Sequence, residues 1–450
     1  MDLIVKGGTV ITMGPKGVIR DGAIVIEDEH IIDVGKAREI TKKYSGYDVL
    51  YAKDRVIIPG LINTHQHIAM SLLRGYADDY PLKEWLERWI WPLERCLSEH
   101  DIYVGALLTA VESLMGGITT INTMYHFVEG GGEARGLADA GLRGVVGHVC
   151  FSWRKDEDKR SLETLAKEWH GRSDGCIRVS VDPHAPYTVD PQFMVELKEI
   201  KEELNRKYGS STNPIIWHIH LAETDDEPEK VKEAFNVEIK GSVVRYLDSL
   251  NVLGEDVIAA HCVSINEEDI EILKRRNVKV SHCPISNLKL ASGVSPVPEL
   301  IAAGVTVSLG TDGPSSNNTS DMFEVMKFTA LLHKGVKRDP TLLPAETVFR
   351  MATIDGAKAL LWDREIGSIE VGKKADIVIL NFEKPHLKPL YNEYSHLVYA
   401  AKASDVETVI VNGKVVMEER DVKTVNVPKV LEEAEHVKDD LLSRLPRNKR

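Results

Sequence analysis

The chain has 450 residues and a formal net charge of −13 at neutral pH. That length is enough for a large core and more than one domain. The acidic balance, without any basic stripe, disfavours nucleic acid or an anionic membrane as a partner and favours a small neutral or polar ligand. No apolar run approaches the ~18 to 20 residues of a membrane span, and the N-terminus lacks signal-peptide features. The five scattered cysteines, with no C-x-x-C pair, predict free thiols in a reducing cytoplasm.

The two ends of the chain are rich in short predicted strands. Residues 1–56 contain strands separated by turn residues, and similar strands recur at 367–382 and 407–422. Because a sheet that small cannot bury its own face, we predict one composite β-sandwich domain built from both ends, residues 1–56 plus 366–425. The remaining C-terminal residues, 426–450, are predicted to form an amphipathic helix with a frayed basic end that serves packing rather than chemistry.

The middle of the chain, residues 57–365, alternates short apolar strands with amphipathic helices. Eight β-α alternations in about 300 residues predict a (β/α)₈ TIM barrel, in which catalytic groups lie at the C-terminal ends of the strands. A doubly wound open sheet is the alternative fold, but no G-x-G-x-x-G or P-loop follows any strand. The predicted strands are 56–63, 118–123, 143–149, 177–182, 215–221, 257–261, 278–282 and 305–310.

The first predicted barrel strand ends in a pair of histidines. The apolar run that begins at Val56 is broken by Pro59 and Gly60 and delivers His65 and His67 at its C-terminal end. Because residues i and i+2 of an extended strand point the same way, both imidazoles can approach one point, as a metal ion requires. An isolated His-X-His pair is also common in proteins without a metal, so the later strand ends decide the interpretation.

Polar residues follow the later strands as well. Three or four histidines and one carboxylate that meet at a barrel mouth predict a metal site with an open position. Imidazole nitrogens with one carboxylate oxygen suit Zn²⁺, with Fe²⁺ as the alternative. These residues are His220 and Glu223 after the fifth strand, His261 after the sixth, His282 after the seventh and Asp312 after the eighth.

Several of these residues have a second interpretation. His218 has the same parity as His220 and could be the ligand by spacing alone, although we favour a buried, hydrogen-bonded role for it. We expect His282 to support the ligands, because a mononuclear site has no ligand position left for it. Glu223 could be an exposed loop carboxylate, and the acidic run after it is read as a solvated helix start. Asp312 could be a turn residue, but it follows a buried strand, which favours a functional role.

In combination, these motifs resemble the amidohydrolase superfamily. Within it they resemble the adenosine-type deaminases described as 5-methylthioadenosine/S-adenosylhomocysteine deaminases and 5'-deoxyadenosine deaminases. The resemblance covers essentially the whole chain and implies hydrolytic deamination of adenosine, 5'-deoxyadenosine, 5'-methylthioadenosine or S-adenosylhomocysteine to the inosine analogue and ammonia. The motifs that carry it are PGLINTHQHIAMSLLRGYADDYPLKEWLERWIWPLE, DPHAPYTV, HIHLAET, AAHCV, SHCPISNLKLASGVSPV, LGTDGPSSNN and GKKADIVIL.

The resemblance also implies a role for individual residues. Glu223 would protonate the ring nitrogen next to the attacked carbon, while His261 and Asp312 orient and deprotonate the water. Glu94 and His184 would hold the nucleoside sugar or ring. The chemistry agrees, because an amidine carbon is a poor electrophile until its neighbouring nitrogen is protonated. The implied ligands of one divalent metal ion are His65, His67, His220 and Asp312.

Two positions bear on the metal count and on the substrate. Binuclear amidohydrolases resemble each other in a carboxylated lysine at the end of the fourth strand, where this chain reads VSVDPHAP, so a single metal is implied. Members that act on S-adenosylhomocysteine resemble one another in two arginines that hold its carboxylate. This chain has Arg160 but His148 at the other position, and imidazole lacks the fork and permanent charge of arginine. We therefore predict that His148 and Arg160 contact the substrate and select compact nucleosides.

The segment between the first strand and its helix carries Trp85, Trp89 and Trp91 close to Glu94. These rings are interpreted either as a lid over the purine or as core or subunit contacts. Their aromatic character would also suit an interface between copies of the chain, and we expect a homo-oligomer.

Two other functions are kept as alternatives. The first is a deaminase or hydrolase of another ring, such as guanine, cytosine or a triazine, on the same fold. The second is a catalytically silent scaffold. Glu94 and His184 favour the nucleoside, and the presence of Glu223 together with every implied ligand opposes the scaffold.

Overall fold

A computed structural model of the chain describes residues 2–445. Within that range the strands belong to two sheets, one built from both chain ends and one from the middle of the chain. The strands are β1 Asp2–Ile11, β2 Val18–Glu27, β3 His30–Lys36, β4 Asp48–Tyr51, β5 Arg55–Pro59, β6 Leu61–Gln66, β7 Ile118–Tyr125, β8 Arg143–Cys150, β9 Ile177–Pro183, β10 Ile216–Leu221, β11 Val257–His261, β12 Lys279–His282, β13 Val307–Leu309, β14 Ile377–Asn381, β15 Val406–Val411, β16 Lys414–Glu418 and β17 Asp421–Val422.

Helices follow most of the barrel strands and cover the outside of the barrel. Among residues 2–445, no helix has the length and apolarity needed to cross a lipid bilayer. The helices are α1 Ala37–Lys43, α2 Leu82–Glu84, α3 Trp91–Glu94, α4 Glu99–Met115, α5 Gly132–Ala140, α6 Lys155–Trp169, α7 Pro191–Tyr208, α8 Glu227–Phe235, α9 Val243–Ser249, α10 Glu267–Arg275, α11 Pro284–Lys289, α12 Val297–Ala303, α13 Met322–Lys337, α14 Ala345–Met351, α15 Ile354–Ala359, α16 Glu393–Tyr399 and α17 Val427–Arg444.

The eight strands β6 to β13 of the described chain form a parallel sheet in which every strand pairs with the next one in sequence. Each of these strands is buried along its whole length, as is typical of a parallel sheet covered on both faces. The predicted (β/α)₈ barrel, with a separate sheet from both chain ends, is confirmed.

Side chains close the seam between β13 and β6, where no backbone ladder forms. The Thr64 hydroxyl donates to the carbonyl oxygen of Leu309 at 2.9 Å and lies 2.8 Å from the Ser308 hydroxyl. The Thr311 backbone N–H donates to Asn63 Oδ1 at 3.0 Å. The first and last barrel strands are therefore held together near their C-terminal ends. Side chains that follow these two strands are fixed relative to each other.

The prediction of a single barrel strand over 56–63 is wrong in its first half. Residues Arg55–Pro59 form β5, which pairs with β14 in the other sheet, and the barrel strand begins only at Leu61. Gly60 makes the crossover, because a Cβ atom at this position would lie 2.0 Å from Thr119 Oγ1. Pro59, which has no N–H, ends the first ladder at the same point.

The second sheet contains nine strands within the described residues, in the order β17-β16-β15-β14-β5-β1-β2-β3, with β4 paired to β1. The strands from the two chain ends meet where β14 pairs antiparallel with β5. A buried ion pair joins this sheet to the barrel, since Arg143 Nε donates to Asp376 Oδ2 at 2.6 Å and Arg143 Nη2 donates to Asn412 Oδ1. The domain limits 1–56, 57–365 and 366–425 stay predictions.

The C-terminal helix α17 packs against α4 through its apolar face, which buries Val430, Val437 and Leu441. Arg444 at its end donates to Asp101 Oδ2 at 2.7 Å. The basic end predicted for residues 426–450 lies beyond residue 445 and thus outside the described residues.

Candidate active site

A cavity of about 70 Å³ lies at the C-terminal ends of the barrel strands. We call it the inner cavity. Polar side chains from several strand ends face into it, and apolar side chains that include Met70, Met124 and Leu290 form its walls. This is the end of a TIM barrel at which catalytic residues are found. The polar lining residues are His67, Glu94, His126, His184, His220, Glu223, His261, Asp312 and Ser316.

Histidine nitrogens and one carboxylate converge at the floor of the inner cavity. Asp312 Oδ1 lies 3.4 Å from His65 Nε2 and 3.2 Å from His67 Nε2. His220 Nε2 lies 3.3 Å from His67 Nε2. His261 offers a further nitrogen within 4.8 Å of those of His65 and His220. The residues predicted from separate strand ends are thus brought to one point.

The hydrogen bonds of His67 and His220 fix which nitrogen of each ring faces that point. His67 Nδ1 lies 2.6 Å from the carbonyl oxygen of Met124, and His220 Nδ1 lies 2.8 Å from that of His184. Because a carbonyl oxygen only accepts, both Nδ1 atoms must carry the proton, and in the neutral rings both Nε2 atoms present lone pairs. Although burial opposes the effect, Asp312 raises the pKa of His67 to about 9, so that without a cation its Nε2 carries a proton that a bound metal ion would displace. The donor set therefore fits a divalent metal ion.

His65 is held from behind by a second buried histidine. His65 Nδ1 lies 2.8 Å from His218 Nε2, and His218 Nδ1 lies 3.6 Å from Asp182 Oδ2. Burial lowers the pKa of His65 well below its usual range, although Asp312 opposes this effect. His218, the alternative ligand by parity, lies behind His65 in the structure, where it orients that ring.

Asp312 is fixed by its backbone conformation and by hydrogen bonds. Its φ of 62° lies in the left-handed region, which is uncommon for residues other than glycine and recurs at functional sites. Its carboxylate accepts from the Ser286 hydroxyl and from the Gly313 N–H. Burial alone would raise its pKa, but the neighbouring His65 and His67 hold that pKa well below the usual range. Asp312 is therefore an anion within the cluster.

Glu223 faces the cluster from the loop after β10. Its Oε2 lies 3.8 Å from His261 Nε2, and burial raises the pKa of Glu223. His261 Nδ1 lies 2.8 Å from Asn287 Oδ1 and donates to it, which leaves Nε2 as the acceptor. His261 also has a left-handed φ of 74°. A carboxyl group with a raised pKa and an imidazole nitrogen with a free lone pair thus lie next to each other in the cavity.

Glu227 holds the Glu223 loop in place. Its two carboxylate oxygens accept from the backbone N–H groups of Ala222, at 2.9 Å, and Glu223, at 2.7 Å. The side chain is fully buried, and burial raises its pKa to about 7. The interpretation of this acidic run as a solvated helix start is wrong at this position. The proline after Glu227 indicates in the sequence that a helix begins there. It does not indicate that the Glu227 side chain points into the protein.

Glu94 reaches the opposite side of the inner cavity from α3. Its Oε1 is buried without a hydrogen-bond partner, and its Oε2 lies 3.9 Å from His126 Nε2. Arg154 Nη1 lies 3.3 Å from His126 Nδ1, and a guanidinium can only donate. The proton of neutral His126 is therefore on Nε2, directed at Glu94. Sequence reasoning missed His126, although it follows β7 directly and strand ends were the available signal.

His184 lines the inner cavity, with its ring centroid 4.9 Å from that of His220. Its Nδ1 lies 3.0 Å from Thr188 Oγ1, and its ring stacks on Phe151 with the centroids 4.9 Å apart. Burial and the charges of neighbouring histidines lower the pKa of His184 to about 3. It is therefore a neutral, polar contact within the cavity.

The structure does not bring His148 and Arg160 to the inner cavity. His148 is buried, with Nδ1 accepting from the Phe127 N–H and Nε2 donating to Asp158 Oδ1, both at 2.9 Å. Arg160 lies exposed on α6. Neither side chain is among those that line the cavity, because the first is held by Asp158 and the second points to the outer face of its helix.

The tryptophan-rich segment covers the mouth of the inner cavity. Trp85 is buried and donates its indole N–H to the carbonyl oxygen of Ala77 at 2.9 Å. Trp91 lines the cavity, whereas Trp89 packs against Tyr80 with the centroids 5.1 Å apart. A six-residue π-helical turn, Trp85–Ile90, joins α2 to α3, and such turns are frequent at functional sites.

His282 lies outside the inner cavity. Its Nε2 is 3.4 Å from Nε2 of His333 on α13, and both rings are buried. The structure therefore places it behind the site rather than among the metal-facing atoms.

Comparison with known proteins places the chain in a family. The model of the amidohydrolase family matches residues 56–416. A 5-methylthioadenosine/S-adenosylhomocysteine deaminase of Thermoanaerobacter pseudethanolicus is 42% identical, covering 99% of this chain and 100% of the relative. A 5'-deoxyadenosine deaminase of Methanosarcina acetivorans is 43% identical, covering 98% and 99%.

A solved structure agrees with these relatives. The crystal structure of an adenosine deaminase from Xanthomonas campestris with bound zinc is 32% identical, with a TM-score of 0.91 over 98% of this chain and 99% of that one. The family match, the near full-length identity to the relatives and the shared fold lead to one conclusion: the chain belongs to the amidohydrolase family.

Proposed function

We propose that the protein is a metal-dependent aminohydrolase that deaminates adenosine-type nucleosides. The observation that carries this proposal is the buried carboxyl of Glu223, which faces His261 at 3.8 Å beside the histidine and aspartate cluster. The deaminase names of the near full-length relatives support the same chemistry. Water adds to the amidine carbon, the carbon–nitrogen bond breaks, and the products are the inosine analogue and ammonia.

The metal would be held by His65, His67, His220 and Asp312. Three imidazole nitrogens with one carboxylate oxygen suit Zn²⁺, with Fe²⁺ as the alternative, and the relative from Xanthomonas campestris contains zinc. When bound, the ion supplies Lewis-acid activation of a water molecule.

The residues of the chain then divide the proton transfers. Glu223, whose pKa is raised by burial, donates a proton to the ring nitrogen next to the attacked carbon. His261 Nε2 orients the attacking water, because its Nδ1 proton is committed to Asn287. Asp312 takes one proton from the water and passes it to the departing ammonia, and the remaining water proton returns to Glu223 as the product carbonyl forms. Glu227 keeps the Glu223 loop in the position that this geometry needs.

The sugar side of the substrate would contact Glu94. Among residues 2–445 its buried Oε1 lacks a hydrogen-bond partner, and a ribose hydroxyl can donate to it. His184 supplies a neutral polar contact beside it. A base or triazine without a sugar leaves this carboxylate oxygen unpaired, so the site favours a nucleoside over the alternative ring substrates.

We also propose the cellular compartment and the oligomeric state of the protein. Five free thiols, four of them buried, fit a reducing cytoplasm. The helix α13 exposes Phe328, Leu331 and Val336, which fits contact with a second copy in a homo-oligomer. The mass of the protein in solution tests this second point.

Ammonia release from a substrate panel tests the proposed function. Protein of known metal content would be given adenosine, 5'-deoxyadenosine, 5'-methylthioadenosine, S-adenosylhomocysteine, guanine and cytosine. Turnover of the adenosines is the expected result. Turnover of guanine or cytosine alone would contradict the nucleoside assignment and move the chemistry to another ring.

A further inference from the structure

A second, wider cavity opens directly above the inner cavity. It has a volume of about 360 Å³ and shares four lining residues with the inner cavity, so the two are adjacent. We call it the outer chamber. The outer chamber is the larger of the two cavities and offers free space for a substituent that extends beyond the ribose. The shared residues are Leu82, Leu86, Trp91 and Tyr187.

The outer chamber has an aromatic wall that runs into the inner cavity. Trp153 lines the chamber and is 63% exposed. Its ring stacks on Phe151 with the centroids 4.5 Å apart, and Phe151 in turn stacks on His184 at 4.9 Å. Trp91 meets Trp153 edge to face at 6.5 Å. An exposed tryptophan held in place by a row of rings is a preorganised apolar surface.

The position of Glu94 indicates where the ribose lies relative to the aromatic wall. Trp91 and Glu94 are both in α3, at positions i and i+3, so their side chains lie on the same side of the helix. Both line the inner cavity. A ribose whose hydroxyl binds Glu94 therefore lies beside Trp91, and its 5' carbon has the outer chamber as the available space.

The outer chamber offers a carboxylate the single charge of the exposed Lys83 but no forked donor. Two lysines and two glutamates line it, and the described lining includes no arginine. One of the lysines, Lys230, is already paired with Asp226 at 2.7 Å and lies over the Tyr187 ring. Arg160 and His148 are not part of the lining. No forked donor is thus available for a bidentate carboxylate bond.

We propose that the outer chamber binds uncharged apolar 5' substituents, of the alkylthio and arylthio classes, and that Trp153 determines this specificity. The inference rests on the proposed deamination of adenosine-type nucleosides. A thioether sulfur packs favourably against aromatic rings, and the carbon chain beyond it is removed from water. A charged amino-acid substituent gains no forked donor for its carboxylate and removes less carbon from water. The compact substrates predicted from His148 are accepted but do not fill the chamber.

A series of 5' analogues tests the proposal. The substrates are 5'-deoxyadenosine and the 5'-methylthio, 5'-n-butylthio and 5'-phenylthio adenosines, with S-adenosylhomocysteine as the charged member. Burial of one methylene is worth up to about fourfold, so kcat/KM should rise at least about tenfold from methylthio to butylthio. S-adenosylhomocysteine should fall below the butylthio compound.

A matched pair of variants tests whether Trp153 causes the rise of kcat/KM with the size of the 5' substituent. In Trp153→Ala, the ratio of kcat/KM for the butylthio compound to that for 5'-deoxyadenosine should fall at least fivefold. Tyr391→Ala removes an aromatic ring that is 87% exposed outside both cavities and should leave this ratio unchanged. An unchanged ratio in Trp153→Ala, or the highest kcat/KM for S-adenosylhomocysteine, would overturn the proposal.

Binding of the deamination products separates this proposal from the proposed function. The Kd values of the corresponding 5'-thioinosines, measured by calorimetry, should follow the same order of size without any turnover. If no adenosine releases ammonia, the proposed function fails, while the order of Kd values still supports or overturns the outer chamber. If the adenosines react at equal rates and the inosines bind equally, only the outer chamber is contradicted.

Discussion

The floor of the inner cavity and the outer chamber are neighbouring regions that are built in opposite ways. At the floor, Asp312 and His261 have left-handed backbone conformations, and the hydrogen bonds of His67 and His220 fix which nitrogen faces the site. The outer chamber instead has an exposed wall, at Trp153, with side chains that reach solvent. The difference indicates that the floor sets the reaction and the chamber sets the range of substrates.

The largest expected effect comes from removing the proton donor at the floor. Glu223→Gln keeps the size of the side chain but cannot deliver a proton, so kcat should fall by about 10²- to 10⁴-fold. Metal content should remain that of the parent, because Glu223 is not among the cluster atoms that converge on Asp312. The control is Glu229→Gln in the first turn of α8, which should retain full activity. Full activity of Glu223→Gln would remove this residue from the mechanism.

The second largest loss of kcat is expected from Glu227, which holds the Glu223 loop. A carboxylate at Glu227 accepts from two backbone N–H groups, whereas the amide of Glu227→Gln offers only one oxygen. We expect kcat to fall by about 10- to 100-fold, the range typical of residues that orient a catalytic group. The pH profile of kcat should shift as well, since the environment of Glu223 changes. A variant that lost stability but kept the parent profile would show a purely structural role.

The sugar side of the inner cavity should respond in KM rather than in kcat. His126→Ala removes the ring directed at Glu94, and we expect KM to rise by about five- to twentyfold, equivalent to ~1 to 2 kcal/mol. His126→Gln, which keeps a donor near Glu94, should recover part of this loss. Equal KM values in all three proteins would exclude His126 from substrate binding.

The smallest expected effect is a change in Tm caused by Glu133, a buried carboxyl group outside the floor of the inner cavity. Glu133 accepts from the Thr123 hydroxyl at 3.0 Å, and burial raises its pKa to about 8. Because its folded pKa lies above its unfolded value, its contribution to stability is complete at acid pH and is lost as the pH rises through about 8. Glu133→Gln should therefore raise Tm by a few degrees at pH 8, about 3 °C, and by less at pH 5. An equal shift at both pH values would contradict the assignment.

The sequence predicted the residues at the floor of the inner cavity because the spacing of two residues in a strand determines whether their side chains point the same way. His65 and His67 at i and i+2 must share a face, and the ends of consecutive barrel strands must meet at one mouth. For the same reason, the sequence predicts that Asp312 and His220 share one site. The barrel itself followed from eight short apolar runs, since parallel strands are buried on both faces.

Other features depended on contacts between distant residues, and no local pattern carries them. The division of the first strand at Gly60 depends on Thr119, which is 59 positions away, and both halves are buried strands. Glu227 and Arg160 both belong to charged helical segments, and only the fold shows that the first is buried and the second exposed. The outer chamber likewise required the packing of Trp153 on Phe151.

The most direct test of the account is a metal titration of the deamination rate. The metal would be removed with a chelator, Zn²⁺ would be added back in steps, and ammonia release from 5'-deoxyadenosine would be measured at each step. The account predicts no turnover in the metal-free protein and a rate that reaches its maximum at one Zn²⁺ per chain. Full turnover without metal, or a maximum reached only at two ions per chain, would contradict it.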